Sequence, residues 1–196
     1  KRQMAAVAGV RYFEQIVHLL DHVGTHIEMP LHYGGEWDCD TFSLEKLMLA
    51  PAAVVDVRHR VPGKPITRED AGNVKTGDIA LFYSGVVDKL MGPTEEGGML
   101  DQWHASVENS PLLTQEVIDF LVEKKVVAVG ADKWKGRCEY HRKDTGELVL
   151  NPTHQIWMKE NGIAIIESPA NLHLLKKDRM LLTALPWPVP GLEACP

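Results

Sequence analysis

Blocks of apolar residues separated by polar stretches run the length of the chain, and their periods differ. Phe13 to Leu20 is dense in Phe, Ile, Val and Leu and reads as a buried strand. A short helix is predicted around Leu44 to Leu49, then a strand at Ala53–Val57. Thr67-Arg-Glu-Asp70 has the form of a capping box opening a short helix. Asp78 to Tyr83 reads as the next strand, with its turn at Gly77. Thr114 is placed as the N-cap of an amphipathic helix whose apolar face is Val117, Ile118, Leu121 and Val122, with Lys124 and Lys125 at its C-terminal end. Val126 to Val129 reads as a buried strand running into Gly130-Ala-Asp132. A short helix is predicted from Pro152 through His154 to Lys159, ended by Asn161-Gly162. A strand follows to Ile166, and a last one within Leu172–Leu185. Strands alternating with helices indicate an α/β fold, a mixed or barrel-like sheet packed with helices. The Gly-rich stretch Met91 to Ser110, with Trp103 and His104, is expected to form a lid loop.

Composition narrows the class. A chain of 196 residues with 44% hydrophobic and 24% charged residues can bury one sizeable core, so residues 1–196 are expected to form a single domain. The net charge of −6 and the lack of a dense basic stretch argue against a nucleic-acid partner. No apolar run approaches the roughly 18 residues of a membrane span, so no membrane partner is expected. Three scattered Cys, at 39, 138 and 195, suit neither a disulfide scaffold nor a Cys-based zinc site, and suggest a reducing, cytoplasmic setting. The chain opens at Lys1-Arg2-Gln3 and closes at Cys195-Pro196, which suggests a longer protein.

One segment carries chemistry. His22, His26, Glu28 and His32 lie within the eleven residues His22-Val-Gly-Thr-His-Ile-Glu-Met-Pro-Leu-His32. Neutral imidazole is the commonest protein metal ligand, and a carboxylate supplies the charge that holds a divalent ion. A His-rich surface loop would have the same composition. Gly24 and Pro30 argue instead for a shaped loop, wrapping an ion as it leaves a strand. Two later residues could complete the site. His154 opens a short helix and either points into a cleft or contacts backbone. Glu167 ends an apolar strand and either faces a site or is solvated.

The segment resembles the signature His-x-Gly-Thr-His-x-Asp-x-Pro-x-His of the metal-dependent cyclase family, which includes bacterial kynurenine formamidase and isatin hydrolase. Gly77-Asp-Ile-Ala-Leu-Phe-Tyr-Ser-Gly85, Gly130-Ala-Asp132 and His154 with Ile163-Ala-Ile-Ile-Glu167 resemble later family blocks. The resemblance runs from about residue 18 to residue 190. It implies a cyclase-like fold, with His22, His26 and Glu28 as ligands of a first metal. It implies His154 and Glu167 as ligands of a second metal or as catalytic groups, and His32 as the general acid/base. The cofactor it implies is one or two divalent ions, Zn or Mn. The implied reaction is hydrolysis of a carbon–nitrogen bond in a small-molecule substrate, an aryl formamide such as N-formylkynurenine or a cyclic amide, by hydroxide generated at the ion. A homodimer or homotetramer is implied as well. Two departures stand out: Glu28 occupies the place of the family's Asp, and the family's N-terminal strand and Pro-containing loop are not recognisable. Tyr33, Trp37, Phe82, Trp103 and Trp134 are candidates to stack on an aromatic substrate, or else core and interface residues. Two other readings fit the His and Glu pattern: an Fe(II) facial-triad oxygenase, and a non-catalytic protein with a closed structural metal.

Overall fold

The computed structural model describes residues 2–7, 10–90, 107–134 and 138–196. The expected lid at Met91–Ser110, with Trp103 and His104, lies mostly outside them. Two strands, β1 (Arg2–Val7) and β2 (Val10–Gln15), pair antiparallel as a separate two-stranded sheet. The buried strand expected over Phe13–Leu20 is therefore not formed. The strand stops at Gln15, and Ile16, Val17, Leu19 and Leu20 are exposed.

The main sheet has seven strands: β3 (His26–Glu28), β4 (Ala50–Asp56), β5 (Ile79–Tyr83), β6 (Ala128–Ala131), β7 (Ala164–Glu167), β8 (Arg179–Leu182) and β9 (Ala194–Cys195). Their order is β8-β4-β5-β6-β7-β3-β9. The four central strands β4, β5, β6 and β7 are parallel, and β8 and β3 flank them antiparallel. The parallel strands are apolar on both faces, as expected where both are covered. Side chains alternate across the sheet. Ala53, Val55, Ala80, Phe82, Val129 and Ile165 pack on one face, with Val117, Ile118 and Leu121 of α2 (Gln115–Glu123; α1 is Val86–Leu90). Ala52, Ile79, Leu81, Ala128 and Ile166 pack on the other, with Phe42 and Leu47.

Helix α2 starts as its sequence predicts, with Thr114 Oγ1 accepting from the backbone N–H of Val117. The region of Leu44 to Leu49 forms only a 3₁₀ turn, Leu44–Lys46. Thr67–Asp70 opens turns rather than a helix. Asp70 accepts from Thr67 N at 2.8 Å but also from the Arg60 guanidinium, so the carboxylate serves the loop and not a helix end. The segment after Pro152 is helical but wound as a π-helix, Thr153–Glu160. It packs on the α2 face of the sheet, with Trp157 fully buried and donating from Nε1 to Ile118 O.

Two acidic residues of the strand-end blocks lock the sheet together. Asp78, before β5, takes two hydrogen bonds from Arg179 of β8, at 2.7 and 2.9 Å. Asp132, after β6, accepts from the backbone of Ser84 and Val86 in the turn following β5. Burial raises the Asp132 carboxyl pKa, against the lowering effect of the Ser84 backbone N–H and hydroxyl.

Candidate metal centre

The His22–His32 segment is not a loop that wraps around an ion. Its centre is strand β3, which is fully buried. Residues two apart on a strand share a face. His26 lies opposite Glu167 and Glu28 opposite Ile165, so both point to the side covered by the π-helix, while Ile27 points into the other core. Gly24 adopts a left-handed φ of +64°, and its carbonyl accepts from His26 Nδ1–H at 3.0 Å. Pro30 then opens the 3₁₀ turn Pro30–Tyr33, which carries His32 back over the strand. His154 arrives from the first turn of the π-helix. Its Nδ1 lies 3.0 Å from both Asn151 Oδ1 and Thr153 Oγ1.

Four imidazoles and a carboxylate thus converge. Glu28 Oε1 is 3.0 Å from His22 Nδ1 and 3.3 Å from His26 Nε2; Glu28 Oε2 is 3.6 Å from His154 Nε2. The His22 and His32 ring centres are 4.4 Å apart, and those of His32 and His154 are 5.7 Å apart. His26 and Glu28 are nearly inaccessible, at 6% and 3% exposure. Three sets of side chains place ligand atoms within 4.8 Å of one another: His22–His26–Glu28, Glu28–His32–His154, and His22–His32–Glu193.

The electrostatics keep the Glu28 carboxylate ionised among the imidazoles. Burial works to raise the Glu28 carboxyl pKa, but the neighbouring His154 and His26 outweigh it and hold the group well below the usual carboxylate range. The contact with Glu28 raises His26, against burial. Two buried polar atoms here, His22 Nε2 and Glu28 Oε2, have no hydrogen-bond partner among the described residues, their nearest polar neighbours being Glu193 Oε2 at 3.5 Å and His154 Nε2 at 3.6 Å. Such atoms cost free energy unless something satisfies them. A divalent ion accepted by imidazole and carboxylate would do so, and this donor set fits one.

The predicted site residues fall out unevenly. His22, His26, Glu28, His32 and His154 are brought together. Glu167 is in register with His26 but belongs to none of the three ligand sets among the described residues. It lines, with His154, Lys133 and Trp134, a neighbouring cavity of about 210 Å³. Glu193 was not singled out from the sequence, yet its carboxylate contacts His32 Nδ1 and lies 3.5 Å from His22 Nε2. No local pattern marks it, since it reaches the cluster by β9 pairing with β3. Of the aromatic candidates, Tyr33 stands beside His154, ring centres 5.4 Å apart, and Trp134 lines the cavity. Phe82 is buried in the core, and Trp37 packs on Phe42 away from the cluster. Trp103 lies outside the described residues.

Fold and cluster together define a mixed-sheet α/β protein with a His/carboxylate cluster able to hold a cation where β3 pairs with β7. The chain belongs to the cyclase family, whose model matches residues 3–136. Three solved structures share its fold. One is described as a potential metal-dependent hydrolase with cyclase activity (23% identical, covering 100% of this chain and 83% of that one, TM-score 0.61). Another is isatin hydrolase A from Labrenzia aggregata bound to benzyl benzoate (19%, 100% and 80%, TM-score 0.71). The third is isatin hydrolase A from Ralstonia solanacearum (20%, 100% and 78%, TM-score 0.67). Among curated proteins, no sequence matches the chain. Among the described residues, no helix is long and apolar enough to cross a membrane.

Proposed function

We propose that this chain is a metal-dependent amidohydrolase that opens a carbon–nitrogen bond in a small cyclic amide or aryl formamide. The observation that carries the reading is the pair of unsatisfied buried atoms, His22 Nε2 and Glu28 Oε2, inside a cluster of imidazoles. The family, and the isatin hydrolases among the structural relatives, support amide chemistry over other uses of such a site.

His22, His26 and Glu28 would hold the ion, with His154 and His32 near enough to Glu28 to face the reacting atoms. A bound Zn²⁺ or Mn²⁺ supplies a water of lowered pKa and polarises the carbonyl. In the net reaction, water oxygen bonds to the carbonyl carbon, the carbon–nitrogen bond breaks, and the departing nitrogen gains a proton. His32 takes a proton from the attacking water and delivers it to that nitrogen. The cavity beside His154 would receive the substrate, with Trp134 of its lining offering an aromatic ring. The open mixed sheet with a packed helix argues against the double-sheet barrel usual for facial-triad oxygenases.

The test is a hydrolysis screen of isatin, N-formylkynurenine and simple lactones with the metal-stripped protein and after addition of Zn²⁺, Mn²⁺ or Co²⁺. Metal-dependent turnover of an amide is expected. Stoichiometric metal binding with no turnover of any amide would leave a metal-holding protein, and oxygen uptake with Fe²⁺ would make it an oxygenase.

A further inference from the structure

We propose that Glu193 is a positioning residue for His32, fixing which of its two ring nitrogens exchanges protons. The kinetic consequence rests on the hydrolase reading above; the structural one does not.

Glu193 is delivered to the cluster by backbone rather than by its own side chain. The Met29 N–H donates to Glu193 O at 2.8 Å, and Cys39 N–H donates to Leu192 O at 2.9 Å. The next two residues form β9 and pair with Ile27 and Glu28. The Glu193 Cα is therefore held beside the joint between β3 and the 3₁₀ turn of His32. From there its carboxylate reaches His32 Nδ1, with His22 Nε2 at 3.5 Å on its other side.

An ionised carboxylate can only accept hydrogen bonds. Its partner on His32 must therefore be Nδ1–H, which leaves Nε2 bare in the neutral ring. A proton shuttle needs one nitrogen free to accept and its ring held in one orientation. A carboxylate on the far nitrogen supplies both, and also stabilises the imidazolium formed in transit. His26 and His154 show the same arrangement with neutral partners, Gly24 O on His26 Nδ1 and Asn151 Oδ1 beside His154 Nδ1, while His22 Nδ1 lies 3.0 Å from Glu28 Oε1 within the signature. Glu193 comes from outside the signature, and its hydrogen-bonding contact is with His32 Nδ1, His22 Nε2 being the more distant neighbour. A charged partner on Nδ1 stabilises the ring when it carries a second proton in transit.

The experiment uses the zinc-loaded, ¹⁵N-labelled chain. Two-bond ¹H–¹⁵N spectra at a fixed, mildly alkaline pH report the tautomer of each imidazole, with His32 identified by the signal missing in His32→Gln. In the wild type, His32 is expected to carry its proton on Nδ1. In Glu193→Ala it should shift to a mixture or to Nε2–H. Zinc content should be unchanged, kcat should fall roughly 10–100-fold, and KM should stay within about twofold. Glu193→Gln keeps an accepting oxygen, so it should retain the Nδ1–H tautomer and recover much of the kcat. An unchanged His32 tautomer in Glu193→Ala would overturn the proposal. So would loss of zinc from that variant, which would make Glu193 a ligand. If the wild type hydrolyses no amide, the hydrolase reading fails, and the tautomer measurement alone decides Glu193.

Discussion

Every histidine in the cluster has a partner on one ring nitrogen, and that partner decides what the other nitrogen can do. Gly24 O accepts from His26 Nδ1–H, which turns Nε2 toward Glu28. His26→Ala should therefore abolish metal binding without unfolding the chain, as read by elemental analysis and circular dichroism; full occupancy would remove it from the site. Glu28 tests the same point through charge. Glu28→Gln keeps the shape but removes the only carboxylate shared by two of the ligand sets, so metal affinity should drop sharply, while Glu28→Asp should be milder. A loss of only about 10–100-fold in Glu28→Gln, measured calorimetrically, would make Glu28 an orienting partner of the histidines instead. His32→Ala should keep the metal and lose turnover by roughly 10² or more. Loss of metal in that variant would instead make His32 a ligand and move proton transfer to His154.

Elements explain why these residues were readable from the chain while others were not. Continuous apolar runs announced β4 to β7, because strands covered on both faces are rich in Val, Ile, Leu and Ala throughout. The Thr114 cap and the spacing of Val117, Ile118 and Leu121 announced α2. The signature gave its residues but not its shape. Three residues are too few for a periodic signal, and β3 exists only because β7 and β9 pair with it from far along the chain. The same non-local pairing hid Glu193. Thr67–Asp70 misled because a capping box and an Asp-anchored loop share one local pattern, and Arg60 decides between them. The end of the π-helix was legible, since Asn161-Gly162 reads as a helix stop. Gly162 has a φ of +64°, its N–H bonds to Met158 O at 3.0 Å, and an added Cβ would fall 2.1 Å from a Trp37 ring carbon. Gly162→Ala should thus destabilise the fold by more than about 1 kcal/mol, read as a lower urea midpoint with unchanged slope.

Across the whole molecule, the site is closed by a segment distant in sequence, and one half-buried carboxylate ties that segment down. Asp38 Oδ2 accepts from Gly191 N at 2.7 Å, while Oδ1 accepts from Thr41 N at 2.8 Å and Thr41 Oγ1 at 2.7 Å. These bonds, led by Thr41, pull the Asp38 pKa from 3.8 down to about 2. A carboxylate whose pKa is lower folded than unfolded stabilises fully above the unfolded value, and the contribution is lost as pH falls through the folded one. The window is therefore between about pH 4 and pH 2. Asp56, Asp70 and Glu160 are also depressed, through Arg58, through Thr67 and Arg60 against burial, and through Arg142, and act in the same sense. Asp132, raised by burial, acts in the opposite one. The wild-type Tm should fall as pH drops from about 4 to 2. Asp38→Asn, which keeps an accepting oxygen but cannot be charged, should melt below the wild type at pH 5 and converge on it near pH 2. The difference between the two curves isolates Asp38 from the other carboxylates, because those titrate identically in both proteins. Parallel curves across the whole range would show that the Asp38 charge does not hold the Gly191 segment, and that the Leu192 and Glu193 backbone bonds seat it unaided.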